Sequence, residues 1–255
     1  FDLPDSSLTV SDSLSSYIIN NIQLQTTPIQ TNGVWVNYTY SPELKLFVAV
    51  SHYGDANGVM TSQDMMNWTV RTCPAQQWRS VAWSPVAKLF AAVGSTGTGN
   101  RVMTSPDGIT WTNRTSTADY GWRDVIWVDR LGLFIAVANA AGYTDKVMTS
   151  PDGINWTART TPDRAWSDIV WSDKLGMLLV TATTSSLSGR IMTSTDGINW
   201  TLRTDADIDN SAVEGVTWSE ELGLFSAVIY HEISYSGTYS AYSSDGINWT
   251  ACPSA

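Results

Sequence analysis

One short pattern occurs five times in this chain and sets the length of its repeating unit. In each copy, Ser-x-Asp is followed four residues after the Asp by Trp, and we call this pattern the Ser-x-Asp turn. The five copies are Ser62, Asp64 and Trp68; Ser105, Asp107 and Trp111; Ser150, Asp152 and Trp156; Ser194, Asp196 and Trp200; and Ser243, Asp245 and Trp249. The tryptophans are 43, 45, 44 and 49 residues apart. A period of this length is typical of one four-stranded blade in a ring of blades.

The residues around each turn predict four strands per unit, which we name A, B, C and D in chain order. Strand B is a short apolar run, as in Leu46–Val50 and Leu133–Val137, and the Ser-x-Asp turn joins C to D. No segment shows a sustained helical period, so we expect almost no helix. The predicted fold is all-β, a five-bladed β-propeller with four-stranded antiparallel blades. The predicted blades are residues 34–77, 78–121, 122–165, 166–212 and 213–255.

The composition of the turn has a physical reason. Asp accepts backbone N–H bonds within its own turn, and the Gly that follows it in four copies allows a positive φ without steric cost. Blade 1 has Met65 in place of that Gly. We therefore expect the first turn to be strained or differently shaped. The Trp is expected to pack as a large apolar plate against its blade.

At these residues the chain resembles the Asp-box repeat of sialidase-like β-propellers, in a compact form that reads Ser-x-Asp-Gly-Ile-Asn-Trp. The resemblance covers roughly residues 34 to 255. It implies the architecture and a structural role for the Asp and Trp of each turn. It does not imply an activity, because one fold hosts many functions.

The net charge of −10 over 255 residues limits the classes of partner. An acidic surface repels phosphate backbones and anionic lipid headgroups, so we expect neither nucleic-acid binding nor membrane insertion. Neutral or cationic partners, including glycans, are compatible with this charge. Cys73 and Cys252 fall on separate predicted blades and are expected to be free thiols.

The amino-terminal segment differs from the repeats. Residues 1–20 are rich in Ser and Asp and are interpreted as an arm or linker that attaches the module to other proteins. Residues 21–28 align with 155–162 and are interpreted as an extra strand D that closes the ring against the last blade, which would protect an exposed sheet edge. Residues 248–253 are a second candidate for that outer strand.

The loops of a propeller lie at two ends of the ring, and here only one end is irregular. The A–B loops and Ser-x-Asp turns are nearly uniform, whereas the B–C and D–A loops vary, so the predicted ligand site is at the B–C/D–A end. The candidate residues lie in the B–C loops of blades 1 and 5, which ring closure would make neighbours: His52, Tyr53, Asp55, Tyr230, His231, Glu232 and Tyr235. Aromatic and polar side chains of this kind suit a sugar. The alternative is that they are ordinary surface residues.

One loop suggests a metal. Asp205, Asp207 and Asp209 alternate in the D–A loop before blade 5, like the start of a calcium loop. The loop lacks the expected Gly, and its twelfth position is Val216 rather than Glu. The alternative is a solvated acidic loop, and Ca²⁺ is the only cofactor that the sequence suggests.

The chain is predicted to be non-catalytic. A sialidase-like site implies three arginines that hold a carboxylate, but nearly all arginines here, including Arg79 and Arg123, occupy positions that repeat between blades. Asp55 and Glu232 remain as a candidate carboxylate pair for a glycosidase. By resemblance to bacteriophage virion proteins, the expected role is a tail or head-decoration module that binds a cell-surface glycan or protein receptor, located on the virion or outside the cell. The arm of residues 1–20 is expected to join it to other virion proteins. The alternatives are a secreted lectin-like adhesin, a glycoside hydrolase of sialidase-like fold, and an assembly scaffold without a small ligand.

Overall fold

The chain forms five four-stranded antiparallel sheets, and the predicted all-β, five-bladed β-propeller is confirmed. The computed structural model describes residues 33–140, 142–183, 189–204, 212–230 and 238–252. Within these ranges there is no helix, and therefore none of the length and apolarity needed to cross a membrane. The predicted arm (1–20) and closing strand (21–28) lie outside the described residues.

Each blade pairs its strands in chain order, and the strands are numbered accordingly. Blade 1 contains β1 (Trp35–Ser41), β2 (Leu46–Ser51), β3 (Val59–Ser62) and β4 (Thr69–Arg71). Blade 2 contains β5 (Trp78–Ser84), β6 (Leu89–Gly94), β7 (Val102–Ser105) and β8 (Thr112–Arg114). Blade 3 contains β9 (Gly121–Val128), β10 (Leu133–Asn139), β11 (Val147–Ser150) and β12 (Thr157–Arg159). Blade 4 contains β13 (Trp166–Ser172), β14 (Met177–Ala182), β15 (Ile191–Ser194) and β16 (Thr201–Arg203). Blade 5 contains β17 (Ala212–Ser219), β18 (Leu224–Tyr230), β19 (Thr238–Ser243) and β20 (Thr250–Ala251).

The hydrophobic core lies between consecutive blades rather than within one. Val48 and Val50 of blade 1, for example, pack in one cluster with Trp78 and Phe90 of blade 2. Strand B is apolar on both faces because each face is covered by a neighbouring blade, and this explains its continuous apolar sequence. The outer D strands are largely exposed.

The tryptophans that begin the inner strands are core residues. Trp78, Trp122 and Trp166 are fully buried. Each indole Nε1–H donates to a backbone carbonyl four residues earlier, at 2.8 Å to Pro74 and 3.1 Å to Ala118 and Pro162. These side chains therefore hold the D–A loops against the blades and are closed to ligands.

One side chain in each of four inner strands bonds to a backbone N–H of the next blade. The acceptors are Asn37 Oδ1 for Val81 N (3.3 Å), Ser80 Oγ for Val125 N (3.2 Å), Asp124 Oδ2 for Ile169 N (3.1 Å) and Asp168 Oδ2 for Val216 N (2.7 Å). We call these the cross-blade bonds. The fifth equivalent position is Gly215, which has no side chain to reach blade 1.

The junction between blades 5 and 1 is less covered than the other junctions. Tyr38 of β1 is 59% exposed, whereas Val81 at the same position of β5 is 3% exposed. On the other side of the junction, Val228 of β18 is 49% exposed, although its equivalents Val50 and Val93 are fully buried. The four cross-blade bonds and the close packing thus end at the same place in the ring.

The carboxyl-terminal edge and the cysteines are consistent with the sequence. The outer strand of blade 5 is β20, a shortened strand that pairs with β19, so the second candidate segment supplies this edge among the described residues. Cys73 and Cys252 are free, as predicted. Burial raises the pKa of the Cys73 thiol to about 11, which leaves it unreactive at neutral pH.

Candidate functional site

The Ser-x-Asp turns use their polar atoms internally. Asp152 Oδ1 accepts from the backbone N–H of Ile154 at 2.9 Å and of Asn155 at 2.8 Å, and the Ser150 hydroxyl donates to the same oxygen at 2.9 Å. The same bonds are present around Asp64, Asp107, Asp196 and Asp245. These carboxylates are thus hydrogen-bonded within their own turns in all five blades.

Met65 confirms the expectation of strain in the first turn. Its φ is 61°, close to the 70° of Gly153 at the equivalent position. The turn thus keeps its shape, and a residue with a Cβ is held in the left-handed region. Trp68 still closes the turn, since its Nε1–H donates to the Met65 carbonyl at 2.9 Å.

The predicted ligand residues of blade 1 lie in the loop between β2 and β3. Tyr53 is half exposed, and Asp55 is exposed and accepts from the Asn57 N–H at 2.9 Å. His52 is partly buried, its Nε2 is buried without a hydrogen-bond partner, and its backbone N–H donates to Val34 at 2.8 Å. These three residues therefore belong to the irregular end of the ring, with His52 directed inward.

The remaining predicted residues are not all described. Tyr230 ends β18, whereas His231, Glu232 and Tyr235 lie outside the described residues, so the proposed meeting of the two loops stays a prediction. The acidic loop with Asp205, Asp207 and Asp209 is also outside them. Among the residues that the structure describes, no three His, Cys, Asp or Glu side chains form a group that could hold a metal ion.

A cavity of about 370 Å³ lies on the axis of the ring. It is lined by one residue of each inner strand and by one residue of a B–C loop: Val36, Arg79, Arg123, Ser167, Glu214 and Thr183. The five strand residues occupy the same repeat position, directly after the Trp, or Val213, near the start of the strand. Since strand A starts at the D–A loop and Thr183 follows β14, the cavity opens at the B–C/D–A end. We call it the axial cavity.

Two cationic side chains dominate the axial cavity. Arg79 and Arg123 come from adjacent blades, and within the described part of the chain neither forms an ion pair. Among the described residues, Arg79 donates one long bond from Nε to Ser95 Oγ, at 3.4 Å. Burial and then the charge of Arg123 lower the pKa of Arg79, while burial and then the charge of Arg79 lower the pKa of His52. The predicted residue His52 thus lies within the field of both arginines.

Neither arginine was expected in a cavity from the sequence alone, because both follow an inner-strand Trp and were assigned to framework positions. The signal that identifies them is variation at a single place in an otherwise repeated strand, where the five blades carry Val36, Arg79, Arg123, Ser167 and Glu214. Packing alone does not require such different side chains at equivalent positions.

Two other depressions lie between the outer parts of adjacent blades and offer less chemistry. One of about 400 Å³ includes Asp64 and Asn67, and one of about 660 Å³ includes Asn155 and Trp156. The side-chain amides of Asn67 and Asn155 donate to the Asp of their own turn at 2.8 Å. The turn residues in these depressions are therefore already hydrogen-bonded within their own turns.

Comparison with known proteins supports the fold alone. No family model matches the chain, and a search of curated protein sequences gives no significant match. Similar solved structures include virginiamycin B lyase from Staphylococcus aureus (TM-score 0.65, 13% identity, 86% of this chain and 69% of that chain). The GH74 enzyme of Niastella koreensis is also similar (TM-score 0.60, 13% identity, 86% and 37% of the chains), as is a chain of a nidogen/laminin complex (TM-score 0.53, 15% identity, 76% and 73%). These β-propellers include enzymes and a non-enzyme.

Proposed function

We propose that this chain is a non-catalytic binding module of a virion surface, from a tail or head-decoration protein, and that its B–C/D–A end binds a cell-surface glycan or protein receptor. The observation that supports this most directly is the axial cavity, where five blades contribute five different side chains at one repeat position. The virion location rests on the resemblance of the repeats to Asp-box propellers, which is an analogy of architecture.

The two ends of the ring support the choice of the binding end. At the Ser-x-Asp end, the same side chains make the same internal bonds in every blade. At the opposite end, Arg79, Arg123 and Glu214 are charged, and their neighbours are Ser167 and Thr183. A rigid ring that presents variable polar groups at one end is well suited to recognition.

The hydrolase alternative has less support from the axial cavity. A glycosidase needs two carboxyl groups about 5 to 9.5 Å apart. Glu214 is the only carboxylate among the described residues that line the cavity. Turnover of a panel of chromogenic glycosides by the purified protein, lost in Glu214→Gln, would favour the hydrolase over the binding module.

A blocking experiment tests which end binds. In a Cys252→Ser background, Tyr53→Cys and Met66→Cys place one exposed thiol at the B–C/D–A end and at the Ser-x-Asp end, respectively, while Cys73 stays buried. Each thiol is coupled to a bulky polyethylene glycol, and binding is measured on arrays of bacterial surface glycans and envelope proteins. We expect the polymer at position 53 to abolish binding and the polymer at position 66 to leave it unchanged.

Two results would contradict the proposal. If binding is lost only with the polymer at position 66, the receptor site lies at the Ser-x-Asp end of the ring. The absence of binding to any glycan or envelope protein, by a folded protein, would argue for a scaffold without a receptor. The uncoupled Tyr53→Cys protein separates the loss of the tyrosine from the effect of the polymer.

A further inference from the structure

Two tyrosine rings lie against each other at the B–C/D–A end of the ring. Tyr120 belongs to the D–A loop that precedes β9, and Tyr143 belongs to the B–C loop of blade 3. Their ring centroids are 4.8 Å apart with 43° between the planes, and Tyr120 also lies 6.1 Å from the buried Trp122. Tyr143 is nevertheless 52% exposed. These two residues, which we call the tyrosine pair, therefore present an aromatic surface to solvent.

A carboxylate borders the tyrosine pair. The Tyr120 hydroxyl donates to Asp145 Oδ1 at 2.7 Å, and Asp145 forms no ion pair with any residue that the structure describes. Burial, and then the bond to Asp145, raise the pKa of Tyr120 to about 12, so this hydroxyl stays protonated at neutral pH. One bond from a neutral donor leaves most of the acceptor capacity of a carboxylate unused. Asp145 can therefore accept further N–H donors.

The cations of the adjoining loops have other acidic partners. The Arg101 guanidinium lies 3.6 Å from the Asp119 carboxylate. Lys146, directly after Asp145, is fully buried and pairs with Asp163. Each of these two cations is thus matched by an acid, and the charge of Asp145 remains. Together with the net charge of −10, this favours a cationic ligand over an anionic one.

The loops that carry the tyrosine pair are held in place by backbone hydrogen bonds. The Tyr120 carbonyl accepts from the Trp122 N–H at 2.9 Å. Beside Tyr143, the Thr144 carbonyl accepts from the Thr161 N–H at 2.6 Å. A site whose groups are already ordered loses less entropy when a partner binds.

We propose that the tyrosine pair and Asp145 bind an arginine side chain of a protein receptor, with the guanidinium plane stacked on the exposed ring of Tyr143 and its N–H groups directed at the Asp145 carboxylate. This assignment rests on the proposed binding function and names one group that the receptor supplies. Arginine combines a planar cation that stacks on aromatic rings with a fork of N–H donors that matches a carboxylate. A half-exposed surface suits a long side chain of another protein better than a small sugar, because small-molecule sites are concave.

The test compares two peptides, acetyl-Gly-Arg-Gly-amide and the same peptide with citrulline in place of arginine, by NMR titration of the whole chain. Citrulline has nearly the shape of arginine but carries a neutral urea group instead of the guanidinium. We expect the arginine peptide to bind about tenfold more tightly, because cation–π attraction and charge-assisted hydrogen bonds both require the charge. The resonances that shift should include the ring protons of Tyr143, which are assigned by their loss in Tyr143→Leu.

Two variants locate the binding site. Tyr143→Leu keeps an apolar side chain without an aromatic ring, and Asp145→Asn keeps an oxygen for the Tyr120 hydroxyl without the charge. Either change should reduce the preference for the arginine peptide to about twofold or less, in a protein whose circular dichroism is unchanged. The matched controls are Tyr242→Leu, at an exposed tyrosine of blade 5, and Asp129→Asn, at an exposed carboxylate of the A–B loop of blade 3. Both controls should bind the peptides like the parent protein.

Equal affinity of the parent protein for the two peptides, or an unchanged preference in the folded Asp145→Asn and Tyr143→Leu variants, would overturn the assignment. Binding to glycans alone on the arrays would also contradict it. In each case the proposed function stands if the polymer at position 53 still abolishes array binding. Binding to an envelope protein that is lost in Asp145→Asn and kept in Asp129→Asn supports both proposals.

Discussion

Met65 carries backbone strain that the other four turns avoid with glycine. Its φ of 61° costs a residue with a Cβ about 1 kcal/mol, and its side chain is exposed, so little packing is lost on removing it. We expect Met65→Gly to raise the free energy of unfolding by about 1 kcal/mol in urea titrations. Met66→Gly, at the exposed neighbour without a positive φ, is the control and should lower it. Equal effects of the two changes would show that the strain is absent.

Asp168 links the stability of the ring to pH. Burial and then the carboxylate of Asp124 raise its pKa to about 8, although the N–H groups of Val216 and Ile169 donate to it. A raised pKa means that this group's stabilisation is complete below the unfolded pKa near 4 and is lost as the pH rises to about 8. We expect Asp168→Asn to increase stability at pH 8 by on the order of 1 kcal/mol, and by progressively less toward pH 4.

The side-chain amide introduced by Asp168→Asn can still accept from the Val216 N–H and donate to Asp124, so the cross-blade bond is retained. Thermal and urea unfolding at pH 4, 6 and 8 measure the effect. Glu221→Gln, at an exposed position, controls for the change in net charge. An Asp168→Asn profile parallel to that of the parent protein would contradict the raised pKa of Asp168.

The five Ser-x-Asp turns make the molecule sensitive to acid. Burial raises the pKa of Asp152, but the stronger effect of the bonds from Asn155 and Ile154 lowers it to about 2. Hydrogen bonds likewise lower the pKa of the other four turn aspartates, Asp64, Asp107, Asp196 and Asp245. A carboxylate whose pKa is lowered on folding stabilises the fold above about pH 4, and this stabilisation is lost as the pH falls toward 2. We therefore expect the urea midpoint to fall steeply between pH 4 and pH 2.

Asp152→Asn tests the assignment to the turns. The variant should be less stable at pH 7, because the amide oxygen accepts more weakly than the carboxylate. It should also lose less stability than the parent protein between pH 4 and pH 2. An identical acid slope in the two proteins would place the sensitivity elsewhere.

The sequence was sufficient to predict the strands and turns, but not the site. Strands B and C and the Ser-x-Asp turn repeat because every blade packs against its neighbours and turns its backbone in the same way. Their pattern is therefore visible in a single sequence. An arginine follows the first residue of the inner strand motif in only two of the five blades, as Arg79 and Arg123. Only the ring geometry shows that these positions, 44 residues apart, line a common cavity. His52 was identified from its irregular loop, but the burial of its Nε2 could be seen only in the folded structure.

The contacts between neighbouring blades are not equal around the ring, and hydrogen exchange should detect the difference. The four cross-blade bonds join blades 1 to 5 in succession, while Gly215 and the exposed Tyr38 and Val228 mark the last junction. Local opening is favoured where buried contacts are few. We expect amides of β1 and β18 to exchange faster than those of their equivalents β5 and β10, measured by mass spectrometry. Uniform protection across the inner strands would contradict this.

The missing cross-blade bond at Gly215 also bears on the width of the axial cavity. Arg79 and Arg123 belong to blades 2 and 3, which Ser80 and Asp124 tie together, whereas Val36 and Glu214 flank the untied junction. We therefore expect local opening to change the separation of Val36 and Glu214 more than the separation of Arg79 and Arg123. The interior of the ring is thus expected to be compliant beside blades 5 and 1 and rigid beside blades 2 and 3.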